Sequence, residues 1–220
     1  MDIGIIGGTG PAGRGLALRA ARAGMRVAIG SRQAERAGQV AAEVVSRAGP
    51  GAAAITGVAN ADAVAADLVV VATPWDATLS TVAPLADALT GRVVVSMVNA
   101  LVKEGRSFLA LVPPRGSMAA AVQAALPGSL VSAAFHHLPA SQMERPDATV
   151  EADVLVCSDH PAATAATVAL VDRIDGLRGV DAGDLAQAAA IEAFTAVLIT
   201  VNIRNRAHAA IRLTGLGGDR

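Results

Sequence analysis

The 220-residue sequence is poor in the side chains that form cross-links or transfer protons. It has no tyrosine, one cysteine (Cys157) and one lysine (Lys103). A disulfide framework is therefore excluded, and the lone thiol fits a reducing cytoplasm. A carbonyl reductase with a Tyr–Lys proton relay is disfavoured. With a formal charge of −1, the chain also lacks the overall basic field of a nucleic-acid-binding protein.

Sites for a metal ion or a membrane have little support. Cys157 and His160 are close in sequence but lack two further ligands at the spacing of a zinc site, so we predict no metal. The longest apolar stretch, residues 186–203, contains Gln187, Glu192 and further polar residues. We therefore expect no membrane span.

The composition favours a globular α/β protein, because 53% of the residues are hydrophobic and short β-branched runs alternate with alanine-rich segments. Continuous apolar runs are typical of strands buried on both faces. The alternation predicts a Rossmann-type, doubly wound parallel sheet. We predict strands at residues 3–6, 27–29, 53–56, 68–72, 93–96, 130–134, 153–157 and 179–181, and helices at 12–23, 33–48, 77–89, 118–126, 162–174 and 185–213.

A glycine-rich loop follows the first predicted strand and opens the first predicted helix. It fits the pattern G-x-G-x-x-G, in which glycine allows a tight turn, close approach to a pyrophosphate and close helix–strand packing. The helix N-terminus then offers amides and partial positive charge to phosphates. The alternative is a glycine turn that binds nothing. The candidate cofactor residues here are Gly8, Thr9, Gly10, Pro11, Ala12 and Gly13.

The end of the second predicted strand indicates which dinucleotide binds. An NAD site has an acid there for the ribose hydroxyl, but no acid occurs between Met25 and Ala34. The chain has Ser31, Arg32 and Arg36 instead, and two guanidiniums with a hydroxyl suit a 2′-phosphate. The alternative is that Arg32 and Arg36 are surface residues at the start of a helix and bind no phosphate. We predict NADP(H).

Candidates for the second half of the site follow later strands. His136 and His137 come after a predicted strand, where ligands bind in open α/β sheets. Since neighbours on a strand point to opposite faces, we expect at most one of them to face the cleft. Trp75, at the end of the fourth strand, either walls the nicotinamide or plugs the core. Cys157 is expected to be a core residue without chemistry.

Taken together, these stretches resemble the NADPH-dependent reductases of coenzyme F420, an 8-hydroxy-5-deazaflavin. The resemblance covers nearly the whole chain, and the order and spacing of its stretches are more specific than any one motif. The matching stretches are GGTGPAGRGLALRAARAG, IGSRQAER, ATPWDA, VVVSMVNALVKEG, LVSAAFHHLPA, DVLVCSDH, DGLRGVDAGDL and IEAFTAVLITVNIRNRAHAAIRLTGL.

The resemblance implies reversible hydride transfer between NADP(H) and F420, with the two rings stacked face to face. Such a transfer between carbons needs no acid–base residue, so His136 is assigned only an orienting hydrogen bond. The family's NADP phosphate contacts correspond to Thr9, Ser31, Arg32 and Arg36. Residues around the rings and the deazaflavin correspond to Trp75, Val98, His136, Leu138, Pro139, Ala140, Glu192 and Thr195. We also assign Thr73, Pro74 and Ala134 to the cofactor site.

The sequence departs from the family at two positions in its C-terminal part. Ala189 stands where family members often have arginine, and Asp184 where they often have proline. Other functions therefore stay open: an NADPH-dependent reductase of another acceptor (a flavin, an imine or ferric iron), or a non-catalytic NADP sensor. A common Rossmann core does not decide between them.

The alternation of apolar strands and alanine-rich helices is interrupted near HHLPASQMERPDATVE, a polar, proline-bearing stretch that predicts a domain boundary. We expect an NADP-binding Rossmann domain at residues 1–140 and a small C-terminal α/β domain at residues 141–220 that ends in a long helix. The first half of that helix is apolar on most faces, which predicts burial between domains or in a homodimer. We expect small-molecule cofactors as the other partners, and a cytoplasmic location.

Overall fold

The computed structural model describes residues 1–105 and 107–216. Its strands are β1 (Asp2–Ile6), β2 (Arg26–Ser31), β3 (Ile55–Ala59), β4 (Leu68–Val71), β5 (Val93–Ser96), β6 (Leu101–Glu104), β7 (Ser107–Ala110), β8 (Leu130–Ala133), β9 (Ala152–Ser158) and β10 (Leu177–Asp181). Its α-helices are α1 (Pro11–Arg22), α2 (Ala34–Ala48), α3 (Asn60–Ala63), α4 (Trp75–Val82), α5 (Met118–Ala125), α6 (Ala140–Met143), α7 (Pro161–Asp172) and α8 (Ala188–Asn205).

Eight strands form one sheet in the order β10-β9-β8-β5-β4-β1-β2-β3. From β3 to β8 every neighbouring pair is parallel. The chain builds outward from β1 to one side and from β4 to the other, so the order reverses between these two strands. The predicted Rossmann-type parallel sheet is confirmed, and its ligand crevice is expected at the carboxyl ends of β1 and β4.

The C-terminal part adds β9 and β10 to the same sheet. These two strands are parallel to each other, whereas β9 pairs antiparallel with β8. The sheet thus continues across residue 140, and the division of the chain into two domains stays a prediction. Residues 217–220 of the predicted C-terminal domain lie outside the described residues.

The core lies on both faces of the sheet, as the continuous apolar strands predict. All four residues of β4 are buried, and α1 buries Leu16 and Leu18 against the sheet. The predicted position of β3 was wrong by two residues at its start. The strand runs through Gly57, where an added Cβ would lie 2.2 Å from the backbone of Ala37. A glycine that normally interrupts a strand is here required by the close approach of α2.

The stretch around Lys103 lies outside the strands and helices predicted from the sequence. It forms the antiparallel hairpin of β6 and β7, in which Lys103 pairs with Phe108. Each arm has four residues, and the hairpin packs on α8 rather than on the main sheet. Such short arms give too few alternations to be recognised in the sequence.

The ends of the last helix were also predicted wrongly. The helical stretch predicted at 185–213 is the short 3₁₀ turn Leu185–Gln187 followed by α8, which ends at Asn205. Arg206 adopts the left-handed conformation (φ 51°) that ends the helix. Beyond it, Asn202 exchanges two hydrogen bonds with the backbone of Ala209. The hydrogen bonds between the Asn202 side chain and the backbone of Ala209 hold the chain after the helix in a non-helical path. No glycine or proline in the sequence marks this end.

Two smaller differences concern the third predicted helix and the apolar stretch of α8. Helix α4 begins earlier than predicted, at Trp75, and Pro84 lies in the 3₁₀ turn that follows it. Leu185–Asn205 has the length and mean hydropathy (1.5) of a segment that could cross a membrane, with 28% of its most apolar part buried in the protein.

Candidate active site

Two cavities lie next to each other near the carboxyl ends of the parallel strands. One of about 630 Å³ extends from the glycine loop to the ends of β2 and β4. The other, of about 270 Å³, lies between α1, the end of β8 and α8. Ala12, in the first turn of α1, belongs to the wall of both. We call them the donor cavity and the acceptor cavity.

The donor cavity collects most of the residues that the sequence predicts for NADP. Predicted residues in its wall are Thr9, Gly10, Pro11, Ala12, Ser31, Arg32, Arg36, Thr73 and Pro74. Residues that the sequence analysis missed are Gly7, Gln33, Asn60, Ala72, Ala77 and Thr81. The wall comes from short segments that each follow a parallel strand, which is the usual place of a ligand in this fold.

The glycine loop has the close approaches that its pattern predicts. A Cβ added to Gly13 would lie 2.6 Å from the Cα of Gly8, so the first turn of α1 rests directly on the loop. Around Gly10 no atom lies within 4 Å of an added Cβ, which leaves that side open to the cavity. No side chain caps α1, and Pro11 occupies its first position. The first-turn amides are therefore available to a phosphate.

The end of β2 presents positive charge without a protein partner. Arg32 and Arg36 are exposed, and in the part of the chain that the structure describes neither has a hydrogen bond or an ion pair. Ser31 is buried in the wall, and its Oγ accepts a hydrogen bond of 3.2 Å from the Gln33 amide. Two guanidiniums beside a hydroxyl are the groups that suit a 2′-phosphate, and its binding here stays a prediction.

Asn60 is a polar residue of this cavity that the sequence analysis did not single out. Its Oδ1 accepts a hydrogen bond of 3.1 Å from the amide of Gly7, which has a positive φ of 68°. A Cβ at Gly30 would lie 2.8 Å from the same Oδ1. Asn60 thus braces the ends of β1 and β2. Its position directly after β3 was the signal in the sequence, because ligands contact residues that follow parallel strands.

The acceptor cavity is more apolar and is built from more distant segments. Predicted residues in its wall are Ala12, His136, Leu138, Pro139, Ala140 and Thr195. His137, a candidate without an assigned role, also lines it. Residues missed by the sequence analysis are Leu16, Met97, Asn99, Leu101, Phe135, Met143, Leu198, Ile199 and Asn202. The α8 members share one face at helical spacing from Thr195, which is the signal that could have found them.

His136 is buried in this wall with both ring nitrogens unpaired. It is 5% exposed, and neither Nδ1 nor Nε2 has a hydrogen-bond partner among the residues that the structure describes. Burial, with a smaller effect of His137, lowers the pKa of His136 to about 3. The ring is therefore neutral near pH 7, and its donor and acceptor nitrogens are both buried and unsatisfied among the residues that the structure describes.

Both histidines line the acceptor cavity, although at most one was expected to face it. The strand alternation behind that expectation does not apply, because β8 ends at Ala133 and both residues lie in the turn that follows. Phe135 begins this turn with a positive φ of 67°, a conformation that costs a non-glycine residue about 1–2 kcal/mol. His137 is satisfied, since its Nε2 lies 2.7 Å from the carbonyl of Ile191.

A small hydrogen-bonded group connects α8 with the histidine turn. The Thr195 hydroxyl lies 3.2 Å from Asn99 Oδ1 and 3.3 Å from the carbonyl oxygen of His136. The Asn99 amide donates to that same carbonyl at 3.2 Å. These contacts fix the backbone of His136 in the wall of the acceptor cavity.

Several predicted site residues line neither cavity. Glu192 is buried and accepts hydrogen bonds from the amides of Met118 and Ala119, at 2.8 and 3.0 Å, so it caps α5. Burial raises the pKa of Glu192 to about 7, against the opposing effect of these two amides. The others are the buried Val98 and Ala134, the loop glycines Gly8 and Gly13, and Trp75, which is 39% exposed at the start of α4.

Two further candidates are a reactive thiol at Cys157 and a metal site. Cys157 is fully buried, and burial raises the pKa of its thiol to about 12, so it is inert at neutral pH. Among residues 1–105 and 107–216, no three side chains of His, Cys, Asp or Glu form a group that could hold a metal ion.

Fold and site together define a Rossmann-type, dinucleotide-binding protein with a second cavity beside its donor cavity. Residues 2–100 match the family model described as NADP oxidoreductase, coenzyme F420-dependent. The F420-dependent NADP reductase of Methanocaldococcus jannaschii is 38% identical over 98% of this chain and 99% of its own. That of Methanothermobacter thermautotrophicus is 38% identical over 98% of this chain and 96% of its own. The chain belongs to the family of coenzyme F420-dependent NADP oxidoreductases, as its resemblance predicts.

Solved structures agree with this assignment. A protein from Arthrobacter sp. FB24, provisionally assigned as an F420-dependent NADP reductase, is 26% identical with a TM-score of 0.79, over 96% of this chain and 97% of its own. An imine reductase of Streptomyces aurantiacus is 20% identical with a TM-score of 0.57, over 93% of this chain and 62% of its own. This second similarity concerns the fold alone.

Proposed function

We propose that this protein transfers a hydride reversibly between NADP(H) and coenzyme F420. The observation that carries the proposal is the pair of adjoining cavities in a chain of this family. One has free first-turn amides and unpaired arginines, and the other is apolar with a buried, unpaired imidazole. Ala12, in the wall of both cavities, marks where the two rings meet.

The chain fits both groups. The open space at Gly10 and the uncapped start of α1 suit the pyrophosphate, while Arg32 and Arg36 suit the 2′-phosphate. A deazaflavin is a flat ring system with a polar pyrimidine edge. The apolar walls at Leu138 and Pro139 suit its faces, and the unpaired nitrogens of His136 suit its edge.

The protein's contribution is to place two rings and exclude water. When bound, NADPH supplies the hydride and the deazaflavin accepts it at carbon. The amides of α1 and the arginines hold the donor, and the neutral ring of His136 orients the acceptor. Hydride transfer between two carbons requires no acid or base, so the chain acts by proximity and orientation.

Turnover with defined donors and acceptors tests the activity. Purified protein is mixed with NADPH and oxidised F420, and the visible absorbance of the deazaflavin is followed. Parallel reactions use NADH, FMN or a cyclic imine. We expect fast loss of absorbance with NADPH and F420 alone. Tight NADPH binding without any reduction of F420 would overturn the proposal, and reduction of the imine or of FMN would identify another acceptor.

We further propose that two copies of this chain pair through the outer face of α8. Phe194, Val197 and Val201 form an uncharged stripe on this face and are 43%, 51% and 38% exposed. The neighbouring hairpin leads into Val112, which is 84% exposed. In a twofold dimer the same surface of each subunit meets its copy, so an uncharged apolar stripe can pack against itself. A different face of the same helix lines the acceptor cavity, so we expect pairing to stiffen that wall as well.

A matched pair of variants tests the dimer. Val197→Glu places a charge in the stripe, whereas Val45→Glu places one on the outer face of α2, where Val45 is 49% exposed. By light scattering we expect dimers for the unchanged protein and Val45→Glu, and monomers for Val197→Glu. A monomeric unchanged protein at micromolar concentration would contradict the pairing.

We also propose a cytoplasmic location. It is supported by the buried, unpaired Cys157, which gives the described fold no disulfide to maintain. In a fractionated host cell, antibody to the protein is expected in the cytoplasmic fraction. Recovery in the membrane fraction would contradict this and give a different meaning to the apolar stretch Leu185–Asn205.

A further inference from the structure

Residues 138–150, which we call the strap, form one wall of the acceptor cavity. Leu138, Pro139, Ala140 and Met143 of the strap line that cavity. Its one helix, α6, has only four residues. A helix this short is not stable by itself, so the position of the wall depends on contacts made elsewhere.

Those contacts converge on Arg19, on the third turn of α1. Its Nε donates to the carbonyl of Met143 at 3.1 Å. Its Nη2 lies 2.9 Å from the carbonyl of Gln142, 2.7 Å from that of Arg145 and 2.8 Å from that of Ala148. One guanidinium therefore collects four strap carbonyls. Those of Gln142 and Arg145 also accept hydrogen bonds from the backbone amides of Arg145 and Ala148.

The rest of α1 holds the strap closely. A Cβ added to Gly15 would lie 2.6 Å from the Cβ of Met143, so the strap rests on the helix backbone. Arg14 forms an ion pair with Glu144 at 3.0 Å. The first turn of the same helix lines the donor cavity, as the position of Ala12 in both walls shows.

We propose that Arg19 is a positioning residue for hydride transfer: by fixing the strap to α1, it sets the acceptor cavity at a constant distance from the donor cavity. The inference rests on the proposed function. It gives Arg19 no contact with either ring, because Arg19 lines neither cavity.

The physical reason is the geometric demand of the reaction. Hydride transfer requires the reacting carbons about 3–3.5 Å apart, and a displacement of about 1 Å can cost on the order of a hundredfold in rate. Without Arg19, four carbonyls lose their common donor. The strap then keeps its packing on Gly15, the ion pairs of Glu144 and the bond from Arg22 to the Pro146 carbonyl. The first turn of α1 keeps its own contacts, so NADP(H) binding is spared while the acceptor wall moves.

The test compares Arg19→Lys and Arg19→Met with Arg92→Met. Arg92 is a matched control: it also donates to two backbone carbonyls, those of Ala88 and Ala66, but lies outside both cavities. Calorimetry gives the dissociation constants of NADPH and F420. Steady-state kinetics gives KM and kcat, and NADPH deuterated at the transferred position gives the isotope effect.

For Arg19→Met we expect NADPH affinity within about twofold of the unchanged protein and kcat/KM for F420 lower by about tenfold or more. The isotope effect rises as the hydride step becomes slower than product release. Arg19→Lys recovers part of the loss, since an ammonium still donates to some of the carbonyls. Arg92→Met loses thermal stability to a similar degree without a change in the isotope effect or in acceptor affinity.

A second variant keeps the inference testable if Arg19→Met does not fold. Gly15→Ala leaves Arg19 in place but pushes the strap off α1, and it is expected to reproduce the acceptor defect with NADPH affinity unchanged. Hydrogen exchange of the strap amides in the ligand-free protein, which needs no turnover, is expected to quicken in either variant.

Equal losses of NADPH and F420 affinity, or the same acceptor defect in Arg92→Met, would overturn the inference. Unchanged strap exchange in Arg19→Met would do so as well. If the unchanged protein fails to reduce F420, the proposed function is at fault, and this is seen before any variant is made.

Discussion

The donor and acceptor cavities share Ala12 but are built in different ways. The donor cavity comes from short segments that follow parallel strands, and its chemistry lies in backbone amides and exposed arginines. The acceptor cavity joins α1, the strap, the turn after β8 and α8, and its polar groups are buried side chains. A dinucleotide site can therefore be specified by local backbone geometry, whereas the acceptor site depends on distant segments packing correctly.

The largest effect is expected from substitutions at the end of β2 in the donor cavity. Ser31→Asp combined with Arg32→Ala supplies a carboxylate for a ribose hydroxyl and removes one partner of the 2′-phosphate. We expect the preference for NADPH over NADH, measured as the ratio of kcat/KM values, to fall on the order of a thousandfold.

The control for this change is Arg26→Ala, at the opposite end of β2, where Arg26 pairs with Asp2. It is expected to leave the nucleotide preference unchanged. If kcat/KM fell equally for NADPH and NADH in the double variant, the end of β2 would support the fold without recognising the 2′-phosphate.

A second change probes the buried polar groups that hold the acceptor half. The pKa of Glu192 is raised from its ordinary value of 4.5 to about 7 because the carboxyl is buried. Because the pKa is raised, the folded protein favours the protonated carboxyl of Glu192. The contribution of Glu192 to the free energy of unfolding is therefore complete below about pH 4.5 and is lost as the pH rises through about 7. The loss amounts to about 3 kcal/mol.

Urea unfolding at a series of pH values measures this loss as the difference between the unchanged protein and Glu192→Gln. The difference removes the opposite effect of His136, whose lowered pKa costs stability toward acid pH. Glu43→Gln, on the exposed face of α2, is the control. Parallel pH curves for the unchanged protein and Glu192→Gln would contradict a titrating buried carboxyl.

The smallest effect is expected at His136. His136→Gln keeps a donor and an acceptor but shifts their position, so KM for F420 is expected to rise about tenfold with NADPH affinity unchanged. The pH profile of kcat between 5 and 8 is expected to stay the same, because the pKa of His136 is about 3 and its ring does not titrate there.

His160→Gln is the matched control, since the His160 ring bonds to Gln123 outside both cavities. It is expected to leave both KM values unchanged. An inflection in the pH profile that disappears in His136→Gln would instead assign proton transfer to this ring.

The same contrast explains what could be predicted. The strand–glycine–helix unit and the arginines after β2 were found because consecutive residues determine them. The end of α8 was missed because it depends on Asn202 capturing Ala209, seven residues away. Glu192 was expected beside the deazaflavin, but the packing of α8 on α5 directs its carboxylate to the amides of Met118 and Ala119.

The sequence by itself determined the parallel α/β fold, the glycine loop and the family to which the chain belongs. Apolar periodicity and turn residues act over a few positions and leave their pattern in the order of residues. Only the tertiary structure decided that both histidines belong to the wall of one cavity, that Asn60 braces the donor loop and that Arg19 holds the strap. These features depend on which distant segments bury each other's polar groups, and that is fixed only when the whole core has formed.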